Sequence, residues 1–303
     1  MDDNLVLVDW LSFTSKIHAV QDFVDILGMS SVPWQTIKGM HGYRDRLYFN
    51  GISIHYNGRD DMGIWCEMSG QGCRAFESLG SGDYEMLFDV IRYGDLHITR
   101  IDIAFDDHSG LLDLPIVCAD TRSGNFVSRS DFWEVTESSK GSTVYHGSPQ
   151  SDVRIRIYDK AAEKHCNSGT HWIRVELQLR DDRALKFISL PYSLGESFAG
   201  VICNYLRYVE PSDFDTNRWR WPLTDYWGNL LCGADALKIY CKPGMEYNLD
   251  HCEKYVYQQC GNAIDTLLKL YGVDEFQKRL AKRGTRPNPK YDMILDTYKN
   301  FEF

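Results

Sequence analysis

The sequence predicts an α+β fold: a mostly antiparallel central sheet with flanking helices, followed by a mostly helical C-terminal region. Two observations support this prediction. Segments 97–106, 153–160 and 171–180 alternate apolar and polar residues, the period of two that is typical of strands with one buried face. Beyond residue 185, apolar residues instead recur at helical spacing. The chain is therefore expected to run from a strand-rich part into a helical part.

The remaining segments fit the same architecture and predict a boundary near residue 205. In chain order they predict a strand at 4–14, a helix at 17–28, strands at 46–56 and 63–68, a helical stretch at 69–93 broken at GSGD, a loop-rich region at 107–140 and a strand at 142–147. We expect residues 1–205 to form one domain and residues 206–303 a mostly helical C-terminal region.

The bulk composition excludes several classes of protein. Apolar residues make up 43% and charged residues 25% of the chain, as in a soluble globular protein. The acidic start MDDNLVLVDW lacks the basic segment of a signal peptide, and no apolar run is long enough to span a bilayer. We therefore expect a cytoplasmic location without a membrane partner. The nine cysteines include no C-x-x-C pair, so we expect reduced, buried thiols and no zinc site.

Charge is distributed unevenly along the chain. The net charge of −10 argues against a large non-specific surface for nucleic acid. The stretch 278–290 nevertheless contains lysines and arginines and no acid. A local basic patch can bind phosphates on an acidic protein, which makes Lys282 and Arg283 candidate DNA contacts. On charge alone, a solvated helix end is the simpler interpretation.

The polar faces of the three alternating segments differ from an ordinary solvated sheet face, because they carry acids, arginines and a tyrosine. Residues two apart share a face of a strand. The predicted faces contain Arg100, Asp102, Ala104 and Asp106 in the first segment, Arg154, Arg156, Tyr158 and Lys160 in the second, and Trp172, Arg174, Glu176, Gln178 and Arg180 in the third. If all three faces lie on one side of one sheet, these side chains converge.

The acids of this face suit a metal ion that assists phosphoryl transfer. Asp102, Asp106 and Glu176 offer the hard oxygen ligands that Mg²⁺ or Mn²⁺ prefers. Such an ion stabilises the charge that develops on a phosphate during substitution. Metal ligation by these three acids is therefore one prediction of the sequence.

The tyrosine and the basic residues suit the same chemistry. Tyr158 can attack phosphorus and hold the product covalently. A free phenol has a pKa of about 10, and the cations Arg156 and Lys160 would favour its reactive phenolate form, which makes them candidate catalytic residues. The remaining arginines bind phosphate oxygens in bidentate geometry. The candidate DNA contacts on this face are Arg100, Arg154 and Arg174.

Several alternatives are open at the level of the residues. The face can be an ordinary solvated surface with cross-strand ion pairs. Asp106 and Asp107 compete as ligands, because an Asp-Asp turn at a strand end is common. Tyr145 is a rival nucleophile. His146 and His171 border the site strands and can act as a further ligand or base, although a histidine at a strand end is more often structural.

Five segments, in this order, resemble the Rep_trans-type replication initiation factors, which include initiators of rolling-circle plasmids and relaxases of integrative conjugative elements, with relatives in phages. The segments are VDWLSFT, MSGQGCRAFE, TRIDIAFDD, TVYHGSPQSDVRIRIYDKAAEK and WIRVELQLR. The resemblance covers roughly residues 5 to 210. It places the family's R-x-Y-[DE]-K tyrosine on Tyr158, its R-x-D-x-x-x-D strand on residues 100–106, and the acid of its R-x-E strand on Glu176.

The resemblance implies a Rep/relaxase-like nicking domain. Such a domain cuts one strand at an origin, leaving a 5′-phosphotyrosyl bond and a free 3′-OH. The implied partners are origin DNA that is single-stranded or extruded at the nick, a host helicase and polymerase, and a second copy in a homodimer. No G-x-x-x-x-G-K-[ST] loop is present, so no motor is expected within this chain. Two other functions are open: a metal-dependent nuclease with water as nucleophile, and a non-catalytic origin-binding regulator.

Overall fold

A computed structural model describes residues 5–138, 141–166, 169–231, 256 and 261–282 (for 262 and 263 the backbone alone). Within these residues the strands are β1 (Leu5–Ser15), β2 (Gln35–Lys38), β3 (Asp45–Phe49), β4 (Ile52–Tyr56), β5 (Ile64–Met68), β6 (His97–Asp107), β7 (Phe126–Ser128), β8 (Trp133–Ser138), β9 (Gly141–His146), β10 (Val153–Asp159), β11 (Ile173–Arg180) and β12 (Leu206–Tyr208).

The helices lie between the strands and beyond the last of them. They are α1 (Val20–Ile26), α2 (Gly70–Leu79), α3 (Tyr84–Tyr93), α4 (Leu114–Ser123), α5 (Lys160–Glu163), α6 (Asp181–Ile188), α7 (Leu194–Tyr205), α8 (Asp225–Leu231) and α9 (Gly261–Lys282), with a short 3₁₀ helix at Arg218–Arg220. The predicted break at GSGD is confirmed: α3 begins after Asp83, whose side chain accepts a hydrogen bond from the Met86 N–H at 2.9 Å.

Ten strands form one antiparallel sheet in the order β2-β3-β4-β5-β1-β6-β11-β10-β9-β8. The three alternating segments of the sequence are β6, β11 and β10, which lie next to one another in this sheet. The predicted α+β fold with a central antiparallel sheet is therefore confirmed. β7 and β12 pair separately as a small two-stranded sheet.

The aliphatic faces of the three central strands line the core. Ile103 of β6, Val175 of β11 and Ile157 of β10 are each completely buried. Burying a side chain of this size stabilises the fold by about 1.5–3 kcal/mol. The helices contribute the apolar side chains that join the same core: Phe76, Leu87, Val117, Phe187 and Phe198.

Residues 46–56, predicted as one strand, form the hairpin of β3 and β4. Asn50 and Gly51 make its two-residue turn, with φ angles of 42° and 89°. Positive φ at both central residues is what a type I′ hairpin turn requires. A Cβ on Gly51 would lie 2.6 Å from the Gly72 backbone nitrogen in α2, so the turn also permits close packing against that helix. The prediction of an uninterrupted strand was wrong.

The stretch 107–140, predicted to be rich in loops, contains α4, β7 and β8. The Asp113 side chain accepts a hydrogen bond from Ile116 N–H at the start of α4, and Pro115 lies in the first turn. Gly124 ends the helix in the left-handed conformation, with φ of 72°. These residues are typical of helix ends, so the sequence did contain the signal for α4.

The chain divides into two compact units, Met1–Cys241 and Lys242–Phe303. The division lies further along the chain than the expected boundary at 205. Trp227 of α8 is completely buried in the first unit's core, and its indole N–H donates to the Leu206 carbonyl at 3.1 Å. In the second unit, α9 is interrupted at Gly272, whose φ is 72°. Arg283 and the basic residues beyond it lie outside the described residues.

Three of the five described cysteines are buried as expected, whereas Cys203 is partly buried and Cys166 is exposed. Cys66, Cys73 and Cys118 are free and buried. Burial raises the pKa of the Cys73 thiol to about 12, so this thiol stays protonated and packs as a small apolar group. Of the helices that the structure describes, none combines the length and the apolar character needed to cross a membrane.

Candidate active site

The polar faces of β6, β11 and β10 form one continuous surface. Asp106 lies opposite Arg174 on the neighbouring strand, and Arg174 lies opposite Tyr158 on the next. Two residues further along β11, Glu176 lies opposite Arg156. Directly opposite residues of antiparallel strands project to the same side of the sheet. The structure therefore brings the predicted acids, arginines and tyrosine onto one face.

The Tyr158 hydroxyl lies between a carboxylate and an ammonium group. It donates a hydrogen bond to Glu176 Oε2 at 3.2 Å and accepts one from Lys160 Nζ at 3.2 Å. The Arg156 guanidinium lies 4.6 Å from the Tyr158 ring centroid and donates to the same Glu176 oxygen at 2.5 Å. Lys160 also pairs with Glu163. Tyr158 is only 6% exposed, so these partners define its environment.

This environment keeps the phenol of Tyr158 protonated. Burial raises the pKa of Tyr158 above its ordinary value of 10, and the negative charge of Glu176 raises it further. Arg156 and Arg174 act in the opposite direction. A neutral phenol needs a base to take its proton when it attacks, and the hydrogen-bonded Glu176 carboxylate is within reach to do so.

The sequence predicted Lys160 at the end of a strand. In the structure it is the first residue of helix α5, and its side chain reaches the Tyr158 hydroxyl from there. β10 ends at Asp159, whose side chain accepts a hydrogen bond from the Ala162 N–H at 2.8 Å and so starts α5. The backbone N–H of Lys160 donates to the Trp172 carbonyl at 2.9 Å. The change from strand to helix turns the buried Lys160 side chain towards Tyr158.

Asp102 is the second buried acid of the face and is bound by Arg100. The Arg100 Nε and terminal nitrogen donate to its two oxygens at 2.8 and 2.5 Å. Burial raises the pKa of Asp102 to about 6, since the opposing effect of Arg100 is smaller and Glu176 adds a like charge. The pKa of Asp102 is therefore sensitive both to its burial and to the charge of Glu176.

Arg174 binds two acids at once. Its Nε and one terminal nitrogen donate to Asp106 at 2.6 and 2.7 Å, and its other terminal nitrogen lies 2.7 Å from Asp9 Oδ2. Asp9 was not among the site residues predicted from the sequence. A register shift between Val8 and Trp10 adds one residue to β1, and Asp9 reaches the polar face from this bulge. In the sequence, the alternation of apolar and polar residues is interrupted at V-D-W, and this interruption could have indicated the bulge.

These groups line an open cavity of about 810 Å³. Its wall includes two aromatic rings, four acids, three of which are the predicted metal ligands, and several cations: Trp10, Trp172, Asp9, Asp102, Asp106, Glu176, Arg74, Arg100, Arg156, Arg174 and Lys160. Tyr158 lines a neighbouring cavity of about 380 Å³ with Tyr145, Arg156 and Glu163. The partners of the Tyr158 hydroxyl thus open into the larger cavity.

The predicted metal ligands share this cavity without forming a ligand cluster. Within the described ranges, no three His, Cys, Asp or Glu side chains are arranged to hold a metal ion. Asp102, Asp106 and Glu176 are each hydrogen-bonded to a separate arginine. The donor chemistry fits a hard divalent ion best at Asp102 and Glu176, because both are buried carboxylates that line the same cavity.

The sequence is similar to known replication proteins along most of its length. Residues 5–93 match the model of the rolling circle replication initiation protein N-terminal domain. Residues 96–282, more than half of the chain, match the model of the replication initiation factor family. The chain belongs to the replication initiation factor family.

Two relatives extend this assignment beyond the family models. The putative DNA relaxase NicK of Bacillus subtilis (strain 168) is 29% identical over 318 residues, which cover 96% of this chain and 89% of NicK. The structure of a rolling circle replication initiator protein from Geobacillus stearothermophilus is 32% identical with a TM-score of 0.71, covering 78% of this chain and 98% of that chain. The resemblance seen in the sequence and the fold are both confirmed.

In this replication initiation factor, the rival site residues have structural partners. Asp107 is completely buried and accepts hydrogen bonds from the backbone of Gly110 and Leu112 at 3.0 and 2.8 Å, and its carboxylate lies 3.1 Å from His171 Nε2. His146 Nε2 lies 3.1 Å from the Tyr208 hydroxyl, inside the core. Asp106, by contrast, lines the large cavity.

The predicted DNA contacts of this replication initiation factor fall into three groups. Arg100 and Arg174 line the large cavity, where each is bound by an acid. Arg154 stacks on the Tyr145 ring, 4.3 Å from its centroid. Lys282 ends α9 in the second unit, and Arg283 lies outside the described residues.

Proposed function

We propose that this protein nicks one strand of DNA at an origin by metal-dependent transesterification, with Tyr158 as the nucleophile. The family and its relatives support a replication initiator or relaxase. The observation that carries the mechanism is the hydrogen-bonded series Lys160–Tyr158–Glu176, because it gives one tyrosine both a base and a cation. The homologue named as a relaxase favours strand nicking over binding alone.

The chemical step makes one bond to phosphorus and breaks another. The Tyr158 oxygen bonds to phosphorus, and its proton passes to Glu176. The bond from phosphorus to the 3′ oxygen breaks, and that oxygen takes up a proton from solvent. The products are a 5′-phosphotyrosyl bond and a free 3′-OH. One phosphodiester replaces another, so the strand can be rejoined later without a nucleotide cofactor.

The cations around Tyr158 carry the charge of this step. Lys160 donates to the phenol oxygen and stabilises it as its proton leaves. Arg156 keeps the Glu176 carboxylate directed at the same hydroxyl while its own charge offsets that of the carboxylate. Arg174 lies opposite Tyr158 and lowers the energy of the phenolate from the neighbouring strand.

Asp102 and Glu176, with Asp106 beside them, are the residues that would hold Mg²⁺ or Mn²⁺. A bound divalent ion would polarise the scissile phosphate and offset its negative charge. Arg100 now neutralises Asp102, and a phosphate oxygen is an alternative partner for its guanidinium group. Binding of DNA would thus free the Asp102 carboxylate for the ion.

The open cavity suits a single strand that is already melted or extruded. Trp10 and Trp172 line it and offer rings on which bases can stack, which is worth about 1–3 kcal/mol per base. Trp65 lies in the adjoining cleft with Trp10 and Arg100. We assign recognition of the origin to the second unit, where Arg279 and Lys282 stand in the last turn of α9.

The experiment that tests this function compares two tyrosine variants. Wild type, Tyr158→Phe and Tyr145→Phe are incubated with Mg²⁺ and supercoiled DNA that carries the element's own origin. Wild type and Tyr145→Phe should give relaxed DNA with covalently attached protein on a denaturing gel. Tyr158→Phe should bind the DNA and give no adduct. Nicking without any adduct would indicate a nuclease that uses water, and salt-sensitive binding without nicking a regulatory protein.

A further inference from the structure

A smaller cavity of about 200 Å³ lies on the same sheet face, where Glu176 is followed along β11 by Gln178 and Arg180. Arg154 of β10 lies opposite Gln178, and Arg100 of β6 lies opposite Arg180. It is separate from the cavity that Tyr158 lines. The residues that define it are Arg100, Pro149, Arg154, Arg156, Glu176, Gln178 and Arg180. A terminal nitrogen of Arg180 donates to the Pro149 carbonyl at 3.4 Å. We call it the arginine pocket.

Hydrogen-bond donors in the arginine pocket lack acceptors. The Nε–H groups of Arg154, Arg156 and Arg180 are buried atoms that have no hydrogen-bond partner in the part of the chain that the structure describes. The same is true of Nε2 of Gln178, a side chain that is only 7% exposed. Buried donors are almost always paired in folded proteins, because an unpaired one costs stability. Four such donors around one cavity therefore point to an acceptor that binds there.

The charges around the pocket point to an anion. Arg180 lies directly opposite Arg100 in the pairing of β11 with β6, and like charges at such positions destabilise a sheet. Arg100 is held by Asp102, and Arg156 by Glu176. Neither Arg154 nor Arg180 forms an ion pair within the described residues. Among the described residues that line the pocket, four arginines thus face one carboxylate, Glu176, and the positive charge is in excess.

We propose that the arginine pocket binds a backbone phosphate of the single-stranded DNA, at a position other than the scissile phosphate. The proposal rests on the proposed function, which supplies the strand. A phosphodiester offers acceptors to Arg154, Arg180 and Gln178 and offsets the charge of the two arginines. Arg156 and Glu176 form the boundary with Tyr158, so a phosphate held here fixes the register of the strand without occupying the nucleophile's position.

The test measures binding of a single-stranded thymidine 12-mer, (dT)₁₂, by fluorescence anisotropy over a series of salt concentrations. The parent is Tyr158→Phe, so that no cleavage occurs. Adding Arg154→Met and Arg180→Met should weaken binding about tenfold. It should also reduce the slope of log K against log salt by about 0.7, the contribution of one phosphate in a single strand. Arg183→Met, an exposed arginine in α6, is the matched control and should change neither quantity.

A second readout separates binding from a structural role. Without DNA, the double methionine variant should melt close to its parent. The unpaired donors and like-charge repulsion that the substitutions remove offset the loss of the Arg154–Tyr145 stacking and of the Arg180–Pro149 hydrogen bond. A much lower melting temperature would overturn the proposal. An unchanged affinity for (dT)₁₂ together with an unchanged salt slope would also overturn it. A third contradicting result is that millimolar inorganic phosphate raises the melting temperature of the parent as much as (dT)₁₂ does. If wild type forms no adduct at its origin, the proposed function fails. If wild type forms the adduct and the double methionine variant has an unchanged salt slope, the proposed function stands and only the proposal for the arginine pocket is wrong.

Discussion

The two faces of β6, β10 and β11 are made by the same strands and differ in almost every physical property. On one face, Ile103, Ile157 and Val175 are completely buried, and their side chains have no polar group that needs a partner. On the other, Tyr158 and Glu176 are nearly as buried, yet they carry polar groups that need partners. Apolar burial stabilises a fold directly, whereas buried charges cost free energy unless each is paired.

This difference separates the residues that stabilise the fold from the residues that the proposed chemistry uses. The aliphatic face holds the sheet against its helices. The charged face is held in place by that packing, and it can tolerate unpaired donors and opposed arginines because the strands beneath it are fixed. Changes on the charged face should therefore affect nicking, and changes on the aliphatic face should affect unfolding.

The largest effect should come from removing the metal ion, which we assign to the charged face alone. EDTA should reduce nicking to background, and added Mg²⁺ or Mn²⁺ should restore it. Mn²⁺ should also raise the melting temperature of the wild type, because an ion that binds the native state stabilises it. Asp102→Asn should lose this rise. Undiminished nicking in EDTA would contradict the assignment.

Replacing the base should have the next largest effect. Glu176→Gln keeps the shape of the side chain and removes the proton acceptor, so the rate of nicking should fall about 10²–10⁴-fold. Added manganese should not rescue it. Glu134→Gln, an exposed glutamate on β8, is the matched control and should nick at the wild-type rate. A Glu176→Gln rate within a few-fold of wild type would remove Glu176 from the mechanism.

On the aliphatic face the effect should appear in stability. Ile157→Ala, next to the nucleophile in sequence, should lower the free energy of unfolding by about 2–5 kcal/mol, because the side chain is completely buried. Urea unfolding measures the loss. At a temperature where the variant is folded, nicking should be close to wild type. Large loss of nicking with little loss of stability would reverse the comparison of the two faces.

The smallest effect concerns His146, a titratable residue within the core. Burial lowers the pKa of His146 to about 3 from its ordinary value of 6.5. The native state keeps it neutral while the unfolded state protonates below pH 6.5, so stability falls as the pH drops from 6.5 towards 3. One proton contributes up to about 1.4 kcal/mol per pH unit. Between pH 7 and 5, the free energy of unfolding of His146→Gln should fall by about 1–2 kcal/mol less than that of wild type. Equal losses in the two proteins would show that His146 does not cause the pH dependence.

The central strands could be predicted from the sequence because alternation with a period of two depends on local pattern alone. The same rule placed Tyr158, Glu176 and Arg174 on one face. The hairpin turn at Asn50 and Gly51 was also visible in the sequence as an N-G pair. It was missed because both flanking segments are rich in strand-forming residues and look like one strand.

The partners of the charged residues could not be predicted, because they depend on which strands lie side by side. Asp9 lies far from Arg174 in the chain and meets it through a bulge in β1. Arg156 and Tyr158 both donate hydrogen bonds to Glu176. This arrangement depends on the register of β10 and β11. Lys160 reaches Tyr158 only because Asp159 starts a helix at that point.

Identifying the amino acid that carries the DNA tests directly whether Tyr158 is the nucleophile. The covalent complex is digested with protease and nuclease, and the modified peptide is sequenced by mass spectrometry. We predict a nucleotide linked through its 5′ phosphate to Tyr158, within the peptide that spans the end of β10. A nucleotide on Tyr145 or on any other residue would contradict the account.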